Sequence, residues 1–136
     1  MQDDLFGDAG LDAAAAPEAP ARHPKRGGVH PAAVDPSLQA VAAQLPGPLR
    51  FGVSTWSYPG WEGLVWDGAY EPSVLSRQGL TAYHQHPLLR TVCIDRSFWR
   101  PLTTTQYETY AGQVNADFRF VVKCPASITD AQVRAE

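Results

Sequence analysis

Three short apolar runs, each bounded by chain breakers, give this sequence its clearest pattern. Leu49–Val53 follows Pro46-Gly47-Pro48 and reads as a strand. Arg90–Asp95 is rich in β-branched residues and reads as a second, and Phe118–Lys123, stopped by Pro125, as a third. Between the first two, Val74, Leu75, Leu80 and Tyr83 recur near helical spacing. They predict a helix over Ser73–His86 that Gly79 weakens and Pro87 ends. Between the second and third, Thr105-Gln106-Tyr107-Glu108 has the form of a capping box, predicting a helix through Val114. Thr129-Asp130 offers the cap of a last helix.

Strands that alternate with helices need crossover connections and form a parallel sheet. Such a sheet is doubly wound or belongs to a (β/α)8 barrel. Gly52-Val-Ser-Thr-Trp-Ser, leading out of the first strand, has one glycine where a dinucleotide fingerprint needs three, so a Rossmann domain is disfavoured. Side chains alternate faces along a strand. If Phe118, Phe120, Val122, Val92 and Ile94 face the helices, then Ser54, Cys93, Asp95 and Lys123 share the other face. Ser54, Asp95 and Lys123 then close their three strands at the same end, which in a parallel β/α barrel carries the active site.

Composition divides the chain at about residue 48. Residues 1–48 hold seven of the twelve prolines, one aromatic, six acids and three bases. That stretch lacks the apolar surface to offset its ordering entropy and is expected to be a disordered tail. Residues 49–136 hold every Trp and Tyr, with eight acids against eight bases, and read as the globular part. A net charge of −3 leaves no electrostatic footprint for direct nucleic-acid binding. No stretch reaches the roughly 18 apolar residues of a membrane span, and the opening Gln2-Asp3-Asp4 is unlike a secretory leader. Cys93 and Cys124 lack CxxC spacing and read as buried free thiols of a cytoplasmic protein.

The candidate chemistry gathers on the loops after the first two strands. Arg50–Trp66 carries three of the four tryptophans. The rings of Trp56, Tyr58 and Trp61 either stack on a sugar or base or roof the core. Asp95 and Lys123 on adjacent strands either pair structurally or hold a general base or anion-binding group ready. Arg96 and Arg100 flank Ser97-Phe98-Trp99. They suit a phosphate or carboxylate, or are simply surface arginines. With one carboxylate and no histidine at a strand end, no metal-ligand set is assigned and the cofactor stays open.

Three blocks occur in order: Gly52-x-Ser54-x-Trp56-Ser57-Tyr58-Pro59-x-Trp61, then Ile94-Asp95-Arg96-Ser97-Phe98-Trp99, then Phe118-Arg-Phe-Val-Val-Lys123-x-Pro125. Together they resemble the YecE-like family, the domain of unknown function 72, over about residues 50–136. The resemblance implies a TIM-type (β/α)8 barrel of roughly 250 residues without an agreed activity. Ser54, Trp56, Tyr58, Phe98 and Lys123 match the family pattern, whereas Ile94-Asp95-Arg96 replaces the Glu-Ile-Asn of many members. This chain supplies three strands of the eight, so it reads as the N-terminal portion of a longer barrel. The expected activity of the whole is hydrolysis of a phosphate- or sugar-containing substrate. Ser54, Asp95 and Lys123 would be catalytic, and Trp56, Tyr58, Arg96, Phe98 and Arg100 would bind substrate. Gln2-x-x-Leu5-Phe6 resembles the short peptide by which bacterial replication and repair proteins dock on the DNA sliding clamp. It leaves a non-catalytic binding module as the alternative, beside an inactive remnant.

Overall fold

The computed structural model describes residues 27–132. Gln2, Leu5 and Phe6 of the clamp-like motif lie outside the described residues.

The three expected strands form one sheet, β1 (Phe51–Val53), β2 (Leu89–Ile94) and β3 (Arg119–Val122), in the order β1-β2-β3 with both pairings parallel. Val53, Val92 and Phe120 stand in register across the sheet. Val92 is 1% exposed on the helix-covered face, while Val121, beside Cys93 on the other face, is 57% exposed. Gly52 is required where β1 meets β2. A Cβ there would come within 2.1 Å of the Thr91 carbonyl oxygen, at the irregularity in register between Phe51 and Gly52.

The helical layer is made of short pieces. α2 (Pro72–Gln78) and α3 (Leu80–Tyr83) replace the single helix expected over Ser73–His86. Glycine at position 79, between the two helices, has a packing cause: a Cβ there would meet the Leu75 oxygen at 2.5 Å and the Trp56 oxygen at 3.1 Å. α4 (Arg96–Trp99) follows β2 directly, and α5 (Thr104–Ala111) runs back toward β3. The capping box of α5 lies two residues earlier than expected. Thr103 accepts from the Gln106 N–H, and Gln106 Oε1 accepts from the Thr103 N–H at 2.9 Å. Pro125 precedes α6 (Ala126–Thr129), so Thr129 and Asp130 end that helix rather than open one.

Helices of four to eight residues cannot cover a sheet face alone, and the aromatic loop fills the gap. Trp56, Trp66, Tyr70, Tyr83 and Tyr110 join Leu75, Leu80, Val92, Ile94 and Phe118 in one core. The Trp66 indole N–H donates to the Tyr58 carbonyl at 2.9 Å, and that of Trp56 to the Ser76 carbonyl at 3.2 Å. Each ring is thus buried with its polar atom satisfied.

Residues 27–48, expected to be part of the tail, carry structure. Val29 and Ala32 are buried, Ala32 N–H donates to the Val65 carbonyl at 2.9 Å, and Asp67 N–H to the His30 carbonyl at 3.1 Å. This segment borrows the apolar surface of Trp66 and Tyr70, so its own composition is a poor guide. α1 (Pro36–Gln44) follows, with Asp35 accepting from the Ser37 N–H at 2.7 Å and no buried residue. Among the described residues, no helix is long and apolar enough to cross a membrane.

At the N-terminal end of the sheet, one carboxylate ties the three strands together. Asp117, just before β3, accepts from Arg50 Nη2 at 3.0 Å and pairs with Arg90 Nη2. Arg50 Nη1 also donates to the Asp117 carbonyl at 2.7 Å. Hydrogen bonds from the two guanidinium groups hold the Asp117 carboxyl well below the usual carboxylate range.

Candidate functional site at the strand ends

Because the strands are parallel and neighbouring, the residues that follow them emerge together. Ser54, Asp95 and Lys123 come directly after β1, β2 and β3. Ser54 and Asp95 line one cleft of about 390 Å³, together with Thr55, Ser57, Cys93 and Arg96. Lys123 Nζ lies 3.5 Å from Asp95 Oδ1, with both side chains about half exposed. The ammonium also stands 5.7 Å from the centre of the Phe98 ring, within range of a cation–π contact.

Asp95 has a second partner, Cys93, whose thiol donates to Oδ1 at 2.8 Å. Residues two apart on a strand share a face, which brings them together. The thiol's hydrogen bond, and then the charge of Lys123, hold the Asp95 carboxyl below its ordinary range. The same bond, with some burial, pushes the Cys93 thiol up and away from the reactive thiolate form. Cys93 is half-buried and Cys124 exposed, which corrects the expectation of two buried thiols. Cys124 lies beyond the end of β3, where the sheet no longer covers it.

Ser97 is the residue that fixes this end of the sheet. It is fully buried, and its hydroxyl lies 2.7 Å from the Ile94 carbonyl and 2.6 Å from that of Lys123. A hydroxyl has one hydrogen, so it serves one of these carbonyls at a time. One bond anchors α4 to the end of β2, the other to the end of β3. Sequence reasoning placed Ser97 only as a neighbour of Arg96; a serine three residues beyond a strand's last apolar position is the signal it left unused.

The arginines sit around this end. Arg96 Nη1 donates to the Tyr110 hydroxyl at 2.7 Å, so the side chain is held against α5. Arg96 and Arg100 line a second cavity of about 440 Å³ beside the N-terminus of α5, with Pro101, Leu102 and Gln106. Arg96 therefore borders both spaces.

The aromatic residues are placed differently from one another. Trp56 borders the cleft but is 5% exposed, its ring edge-on to Tyr110 at 4.9 Å. Its ring packs in the core, which is the core-roofing one of the two placements the sequence left open for it. Tyr58 is 54% exposed, packs edge-on to Trp61 at 5.6 Å, and lies outside the cleft that holds Ser54 and Asp95. Trp99, which the sequence did not single out for binding, is 83% exposed beside Phe98. Among the described residues, no group of three or more His, Cys, Asp and Glu side chains could hold a metal ion.

No curated protein and no solved structure matches the chain. The family model described as protein of unknown function DUF72 matches residues 50–136, from the residue before β1 through all three strands, and the chain belongs to that family.

Proposed function

We propose that this chain forms the opening units of a β/α barrel whose strand-end cleft hydrolyses a phosphate- or sugar-containing small molecule. The barrel is supported by three consecutive parallel neighbours and by the open sheet face around Val121. Parallel sheets are almost always covered on both faces, and further strands closing a barrel would cover this one. The observation that carries the hydrolase is the meeting of Ser54, Asp95 and Arg96 in one cleft, with Lys123 3.5 Å from Asp95.

In this reading Lys123 and Arg96 stabilise negative charge that develops on substrate oxygens. Asp95 holds Lys123 in place and orients a water, and Ser54 positions the substrate by hydrogen bonding. A panel of aryl phosphates and aryl glycosides tests the reading. The full-length barrel of which this chain would form the opening units should turn over at least one compound. Lys123→Ala should melt at the same temperature yet lose about a hundredfold in turnover. A wild type that leaves every compound intact contradicts it.

One observation favours a second reading, a non-catalytic binding module. A carboxylate held below its usual range is a weak base, whereas a catalytic base is most effective near the working pH. Saturable binding of panel compounds without turnover would select the module.

A further inference from the structure

We propose that the cavity between Arg96, Arg100 and the N-terminus of α5 is a phosphoryl-binding subsite, separate from the strand-end cleft. The ligand would then carry its phosphate as a handle, with the group to be acted on lying toward Asp95. This rests on reading the strand-end cleft as a ligand site, and it names the substrate class: a phosphorylated small molecule whose phosphate is retained.

Arg96 and Arg100 both line one space of about 440 Å³. Neither Arg96 nor Arg100 forms an ion pair with a carboxylate among the described residues. The contrast with Arg50 and Arg90 is direct, since both of those are neutralised by Asp117. Unneutralised arginines that converge on a concave surface favour an anion. Two of them match the double charge of a phosphate monoester better than the single charge of a carboxylate. Arg96 gives one of its five N–H donors to Tyr110, which fixes its position and leaves the others for a ligand.

The surroundings agree with a ligand larger than the phosphate. Pro101 and Leu102 supply apolar wall for a carbon skeleton. The Gln106 Oε1 is held by the Thr103 N–H at 2.9 Å, which leaves its amide N–H groups as donors at the cavity's edge. Arg96 borders the cleft that holds Ser54 and Asp95 as well, so one molecule can span both spaces.

The test is a titration of the full isotope-labelled chain with phenyl phosphate at constant ionic strength, read by backbone amide shifts. Benzoate is the parallel arm. Phenyl phosphate should give saturable shifts centred on residues 96–106, and benzoate much weaker ones. Arg100→Gln should weaken phenyl phosphate binding about tenfold, whereas Asp95→Asn should leave these shifts in place. Shifts that do not saturate, equal binding by Arg100→Gln, equal binding of benzoate, or shifts centred on Ser54 and Lys123 instead would each overturn the subsite. Binding centred on residues 96–106 with no turnover of the hydrolase panel would support the subsite and tell against the hydrolase alone.

Discussion

Ser97 and Asp117 hold opposite ends of the sheet by different physics, and their substitutions should behave differently. The Ser97 hydroxyl is buried against two carbonyls. Ser97→Ala removes the only hydroxyl there and should cost about 1–3 kcal/mol in urea unfolding. Asp117 acts through charge at an exposed position. Its folded carboxyl titrates below its unfolded value, so its contribution is full above the ordinary carboxylate range and is lost as the pH falls through the folded value. Asp117→Asn should therefore lower the melting temperature at neutral pH, and the gap from wild type should close on acidification. A gap independent of pH would contradict the arginine–aspartate clamp. Neither residue stood out in the sequence, because a serine and an aspartate outside the strands acquire their partners only when the strands are brought side by side.

At the scale of elements, the strands were the legible part. Apolar runs between prolines and glycines specify short strands, and helices between them specify a parallel order. Helix boundaries were less legible for identifiable reasons. The capping template fits both Thr103–Gln106 and Thr105–Glu108, and the helix takes the earlier frame. The need for glycine at position 79 comes partly from the Trp56 backbone, which is distant in sequence. Of the two placements open to the loop's rings, stacking on a ligand or roofing the core, Trp56 takes the second. Short helices leave the sheet under-covered, so the loop's rings complete the apolar layer. The tryptophans should divide accordingly. Trp66→Ala, at a position with no exposure, should cost about 3–5 kcal/mol, whereas Trp99→Ala, 83% exposed, should stay within about 0.5 kcal/mol of wild type. Equal losses in thermal unfolding would contradict this division.

At the scale of the molecule, the parallel sheet gives the chain two unlike ends. Strand N-termini are tied by Arg50, Arg90 and Asp117, and strand C-termini present Ser54, Asp95 and Lys123 beside the arginine-lined cavity. Alternation along the strands made this polarity legible in advance, since it requires no knowledge of the helices. The participation of Ser97 and Tyr110 was not, because their roles depend on how α4 and α5 pack. Cys93 and Lys123 together hold Asp95 at this end, and carboxyl ¹³C titration of Asp95 measures that directly. The wild-type carboxyl should titrate below the ordinary aspartate range and move up in both Cys93→Ala and Lys123→Ala, more in the first. An Asp95 that titrates in the ordinary range and ignores both substitutions would contradict the arrangement of the strand-end site.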